Sequence, residues 1–160
     1  MVDDVVWATL AAVLVSLSLP FYLYGAWIIL DAEVVTWSTL MRHLRYIGAG
    51  LVLTTVPVVT WMVPRLFDQL GGYTAMHAII GMQAYALLLV ALTGIVRIFL
   101  AKHRHDLYHN PDPTIDLNDL DENMGAWRFR LRIGVFGYLF CWLVAYILGM
   151  IRYVIRYSIL

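Results

Sequence analysis

Cysteine, lysine and buried acid are scarce in this chain, and each scarcity removes a class of function. Cys141 is the only cysteine in 160 residues, which excludes an intrachain disulfide and any Cys-x-x-Cys site for zinc or thiol exchange. It lies within an apolar run and reads as a small packing residue. Lys102 is the single lysine against ten arginines, a bias with no evident mechanistic meaning. Charged residues make up 14% of the chain, against about 25% in a soluble domain. The net charge is zero, which gives no reason to expect a nucleic-acid partner. No Asp or Glu falls inside the long apolar runs, and this argues against a proton-coupled transporter. There is no Ser/His/Asp set, no intramembrane carboxylate pair and no phosphate-binding glycine loop, so an enzyme is not expected.

What is abundant is apolar length. The chain is 62% hydrophobic with a mean hydropathy of +0.76. Four runs, Val5–Leu30, Tyr46–Pro64, Ala75–Leu100 and Ile133–Ile151, each approach the roughly 20 residues that carry a helix across a hydrocarbon core about 30 Å thick. The first run is preceded by Asp3 and Asp4 instead of a basic segment, so it reads as a spanning helix and not as a cleaved signal. The expected fold is all-α: a single membrane domain, an up-down bundle of four transmembrane helices. Tyr22, Tyr24, Trp27, Trp37 and Trp61 cluster near run ends and read as interfacial anchors. Pro20 and Pro57 lie inside runs and should bend them. Gly137, Cys141, Ala145 and Gly149 recur every four residues, a small-residue stripe that lets another helix approach.

Four spans put both termini and the second loop on one side. That side carries Arg65, Arg152 and Arg156. The first and third loops carry Arg42, Arg45, Lys102, Arg104, Arg128, Arg130 and Arg132, and Arg97 can snorkel to them. The positive-inside rule places these loops in the cytoplasm and both termini outside. The second loop, near Arg65–Thr74 with Gly71–Gly72, reads as tight. The third, near Ala101–Trp127, is long and holds six of the eleven acids between Asp106 and Glu122. Its DLNDLDEN segment lacks the glycine and spacing of a calcium loop. It reads as a solvated acidic loop and as the expected docking site for a cytoplasmic partner.

The histidines fall at membrane boundaries. His43 precedes the second run, His77 opens the third, and His103, His105 and His109 follow it. Histidine is a frequent ligand of haem iron, copper and zinc. His43 shares a helix face with Gly50, Thr54, Pro57 and Trp61, and His77 with Gly81, Ala84 and Leu88; such small-residue faces suit a flat macrocycle and plain helix packing equally. By depth, His43 can pair with His103 or His105 on the cytoplasmic side, where Arg42 and Arg45 would meet haem propionates. His77 lies about 40 Å away along its helix, at an outer level with Met62, Met76 and Met150, and His–Met is an accepted axial pair for haem. For metal alone, His43, His77 and His105 are the candidates; His-Arg-His-Asp-Leu-Tyr-His has copper or zinc spacing, but Lys102 and Arg104 oppose a cation there. The alternative for each histidine is a boundary side chain satisfied by a backbone carbonyl, a lipid headgroup or water.

These positions together resemble the YozB-like family, small four-helix membrane proteins linked to assembly of haem–copper cytochrome oxidases. The likeness runs from about Phe21 to Tyr153. YLYGAWII resembles the family's first-helix end, MRHLRYIGAG its basic opening to the second helix, and MHAIIGMQAYALL its third-helix start, with His77 on the family histidine. LAKHRH and AWRFRLRIGVFGYLFCWLVAYILGMIRY resemble its basic histidine segment and aromatic last helix. Two departures stand out: Arg65 occupies the place of an outer histidine, and the acidic loop is an insertion. The resemblance implies an accessory or assembly factor of a respiratory oxidase, with haem or copper as the cofactor. A b-type cytochrome electron carrier and a cofactor-free structural subunit are the rival readings.

Overall fold

The computed structural model describes residues 2–66, 72–112 and 114–157. Gly71 of the expected tight second turn and Pro113 of the third loop lie outside them. Among the described residues there is no strand. Helix α1 spans Val2–Leu30, α2 Trp37–Pro57, α3 Tyr73–Arg104 and α4 Met124–Tyr157. All four are long and apolar enough to cross a membrane. The fold is the expected all-α arrangement of four transmembrane helices.

Local chemistry sets the helix ends. Asp3 and Asp4 occupy the first turn of α1, where negative charge complements the helix dipole. Thr36 caps α2 by accepting the Thr39 N–H at 3.4 Å. Gly72, at φ +52°, turns the chain into α3 in a region where glycine has no Cβ penalty. At the other end of α3, Leu107 N–H bonds Lys102 C=O at 3.0 Å and Asp106 N–H bonds His103 C=O at 3.1 Å. This is a Schellman cap, with Asp106 at φ +52° in the place usually held by glycine. Asp121 accepts the Asn123 N–H at 2.8 Å just before α4.

The helices outrun the apolar runs at the loop end. The second helix starts at Trp37, not near Tyr46, and the fourth at Met124, not near Ile133. The extra turns are polar, so hydropathy alone does not mark them. They remain helical because the α3–α4 pair continues packing: a Cβ on Gly94 would stand 2.5 Å from the Trp127 carbonyl oxygen. At the opposite end Pro57 closes the α-helical part of α2. A π-helical turn follows at Val58–Met62 and a 3₁₀ turn at Val63–Arg65. Pro57 and Pro64 supply no N–H, and the ladder between them shifts to wider spacing, with Val63 N–H reaching Val58 C=O. Pro20 does not end α1, which continues through it to Leu30, although the proline has no N–H to offer the Ser16 carbonyl.

Packing divides the molecule into two antiparallel hairpins, α1 on α2 and α3 on α4, joined along a thinner α1–α4 seam. The α2–α3 side meets through the Thr55–Tyr85 hydroxyl pair at 3.2 Å. The α3–α4 hairpin is the closest: Gly134 lies directly on the Ala91 backbone and Gly137 on the Leu87 side chain. The small-residue stripe of α4 therefore does serve packing.

The core contains Val15, Tyr22, Ala84, Tyr138 and Trp142. Tyr22 is a correction to the interfacial-anchor expectation. It is 8% exposed, its ring covers Gly50, and its hydroxyl lies in a relay. Tyr138 donates to Tyr22 at 3.0 Å, Tyr22 meets Thr54 at 3.1 Å, and Thr54 donates to Gly50 C=O at 2.9 Å. With the Thr54 proton committed, Tyr22 is the donor to Thr54. The phenol can sit this deep in hydrocarbon because both of its roles are satisfied.

Candidate functional site

The α1–α4 seam explains why a cleft exists. In α3–α4 the glycines bring backbones together. Across α1–α4 the contacts are long side chains meeting short ones: Ser16 with Tyr146 at 2.9 Å, Thr9 with Tyr153 at 2.7 Å, and Tyr157 to the Asp4 carbonyl at 3.4 Å. Ser16 and Thr9 are seven residues apart, as are Tyr146 and Tyr153, so antiparallel helices present them in register. The tyrosines act as struts that hold the helices apart. Ala8, Ala11 and Ala12 of α1 are too small to fill the gap. A cleft of about 400 Å³ remains at the end of the molecule that carries both termini.

His77, Met62 and Met150 all line this cleft, together with Arg65, Arg152 and Arg156. The π-helical turn supplies Trp61 and Met62 to its wall, and such turns recur at functional sites. The His77 ring lies against Gly149, and its Nδ1 is 2.8 Å from the Ala145 carbonyl oxygen. A carbonyl only accepts, so Nδ1 carries the proton and the neutral ring keeps its lone pair on Nε2. A backbone carbonyl behind one ring nitrogen is the usual support of a ligating histidine. It also satisfies a histidine that ligates nothing. Arg65 lies over Trp61, its guanidinium carbon 3.4 Å from the ring centroid, and faces Asp4 at 3.5 Å.

The loop end is arranged differently. His43 Nδ1 donates to the Gly25 carbonyl at 2.8 Å, so the ring ties α2 to α1. His103 stacks on Phe99, with centroids 5.8 Å apart and planes within 6°. His105 is exposed at the end of α3, and His109 pairs with Asp106 at 3.0 Å while stacking on Trp37. Arg42 borders a polar hollow with Asp31 and Thr39, and Arg45 is exposed. The recorded partners of His43, His103 and His109 are thus backbone, aromatic ring and carboxylate. Among the described residues no group of three or more His, Cys, Asp or Glu side chains converges where a metal ion could sit.

The third loop is partly built into this end. Trp37 N–H bonds Tyr108 C=O at 2.9 Å, and Leu107 and Tyr108 are buried. Burial pushes the Tyr108 phenol above its ordinary pKa. Several loop acids serve the backbone: Asp112, Asp116 and Asp121 each accept the N–H two residues on. Asp112 also accepts the Thr114 hydroxyl, and these bonds hold its carboxyl below the usual range.

The cleft was only half legible in the sequence. Axial counting put His77, Met62, Met76 and Met150 at one level, but Met76 is exposed and does not line the cleft. It gave no sign that α1 would face α4, nor that Asp4, Arg152 and Arg156 would share the cleft. The heptad matching of Thr9 and Ser16 with Tyr153 and Tyr146 is the one signal that pointed there.

No curated protein and no solved structure matches the chain significantly. A family model described as a domain of unknown function, DUF7321, matches residues 4–158. That match takes in all four helices, both hairpins and every residue of the cleft, and the chain belongs to the DUF7321 family.

Proposed function

We propose that this protein is a membrane-embedded accessory or assembly factor of a respiratory haem–copper oxidase, and that it holds haem in the cleft around His77. The observation that carries the reading is the meeting of His77, Met62 and Met150 with three arginines in one partly apolar cleft. The donor set fits haem: Nε2 of His77 and a thioether of Met62 or Met150 would hold it, and the guanidinium groups would suit its propionates. When bound, haem supplies a redox-active iron. The chain itself orients the ring through Ala145, leaves room for it at Gly149 and keeps cationic groups at the rim.

Copper(I) also favours His and Met donors. The rim opposes it. A cation and a guanidinium roughly 8 Å apart repel by about 2 kcal/mol at an effective dielectric constant near 20, whereas a dianionic macrocycle gains from the same groups. The basic loop end, with Arg42, Arg45, Lys102, Arg104, Arg128, Arg130 and Arg132, supports a cytoplasmic position for it, which puts the cleft and both termini outside.

The test is haem and metal analysis of protein purified from its own membranes, alongside His77→Ala, His43→Ala and His109→Ala. Loss of haem in His77→Ala alone is the expected result. Loss in His43→Ala instead would move the site to the loop end, with His103 or His105. Haem absent from all, the parent included, would favour a cofactor-free structural subunit, and haem retained by all would overturn His77 as its ligand. Co-purification of oxidase subunits, and its dependence on residues 112–122, tests the partner and the loop. Orientation is checked by labelling single cysteines at Asp3 and Asn118 in a Cys141→Ala background; modification of both from one side would defeat it.

A further inference from the structure

The Asp4–Arg65 pair is unusual for its position. Arg65 is fixed at the mouth of the cleft by stacking on Trp61 at 3.4 Å, and Trp61 in turn stacks on Trp7 of α1 with centroids 6.2 Å apart. The guanidinium is therefore preorganised. Its carboxylate partner is not well seated. The Arg65–Asp4 distance is 3.5 Å, with both side chains more than a third exposed, whereas a good charge-assisted bond measures about 2.7–2.9 Å. A screened pair of this kind is worth little.

Behind the pair, the wall changes character. Ala8, Ala11 and Ala12 line the inner part of the cleft, and Arg65, Arg152 and Arg156 line the same cleft. Arg156 lies over the Tyr157 ring at 5.8 Å. The cleft thus offers an apolar body next to a cationic mouth, which is the shape of an amphiphile with a carboxylate at one end.

We infer that the mouth of the cleft is a carboxylate-recognition subsite for an anionic amphiphile, in which Asp4 occupies the ligand's place on Arg65 until the ligand arrives. This deepens the proposed ligand-holding role of the cleft, but it does not require that the ligand contain iron. An arriving carboxylate exchanges one ion pair for a better-seated one, and the displaced Asp4 turns to water. No charge is left buried and unpaired.

The experiment measures binding of four probes to the full-length protein in neutral-lipid nanodiscs. These are protohaem, its dimethyl ester, the fluorescent fatty acid cis-parinaric acid, and its methyl ester. Each acid should bind about tenfold tighter than its ester. The preference should collapse in Arg65→Gln and widen several-fold in Asp4→Asn. His77→Ala should change the haem spectrum and leave the acid-over-ester preference of parinarate intact. Circular dichroism and thermal melting of each variant identify any that fails to fold, and Arg65→Lys, which keeps the charge without the planar fork, should retain part of the preference. If protohaem and its ester bind alike, and parinarate and its ester do too, the subsite is overturned while the haem reading stands. If parinarate shows the Arg65-dependent preference and neither haem form binds, the haem reading falls and the subsite stands. Failure of all four probes to bind overturns both.

Discussion

Gly149 makes the space into which the His77 ring fits. A Cβ at 149 would stand 2.9 Å from Cε1 of that ring and 3.3 Å from Nδ1. The ring cannot withdraw freely, because Nδ1 is tied to Ala145 one helical turn away on the same helix. Gly149→Ala should therefore push the ring off its carbonyl, weakening any ligand held by Nε2 by about tenfold or more with a modest loss of stability. Ligand titration beside a thermal melt separates the two effects. Unchanged binding in a folded variant would show that the ring's position is immaterial.

The α3–α4 contact makes a sharper stability prediction. At Gly134 a Cβ would run into the Ala91 backbone, which has no rotamer by which to yield, while at Gly48 nothing lies within 4 Å. Gly134→Ala should destabilise by about 1–3 kcal/mol. Gly48→Ala should be neutral or stabilise by up to about 1 kcal/mol. Melting temperatures in one detergent should rank Gly134→Ala below the parent and Gly48→Ala at or above it.

Tyr22 is the middle of the Tyr138–Tyr22–Thr54 relay. Tyr22→Phe keeps the ring on Gly50 and removes only the hydroxyl, which leaves Tyr138 without its acceptor. The expected loss is about 1 kcal/mol. Tyr138→Phe in the same background should then add little, because their bond is already gone. Full additivity in the double-mutant cycle would show that the two hydroxyls do not act together.

Arg65 stands where the resemblance to YozB-like proteins expects a histidine, and it lines the same cleft as His77. If the proposed haem is held in the cleft, Arg65→His should supply a second imidazole donor and change the reduced absorbance spectrum. It should also abolish preference for a carboxylate. If the variant folds, takes up haem and gives the parent spectrum, residues 65 and 77 do not reach a common ligand.

The four spans were legible because hydrocarbon thickness fixes their length. Their ends were not, because α2 and α4 continue through polar turns that only the neighbouring helix stabilises. Tyr22 was misread for a related reason. A tyrosine eight residues from the end of a run resembles an interfacial anchor until its hydroxyl partners, Thr54 and Tyr138, are known, and both lie on other helices. Depth could be counted along one helix at a time. The facing of α1 toward α4, which makes the cleft, is a relation between residues more than a hundred positions apart, such as Thr9 and Tyr153.

The two histidine–carbonyl bonds bear on how the molecule is made. His43 joins α2 to α1 and His77 joins α3 to α4, so each bond closes within one hairpin. During synthesis the first pair of helices can be clasped before the second pair has left the ribosome. The tyrosine seam, by contrast, needs residues from both ends of the chain. The cleft draws its lining from both hairpins, so it is complete only when the two halves are in contact. A chain cut between α2 and α3 and expressed as two pieces is expected to rebuild the cleft, which co-purification of the two pieces would check.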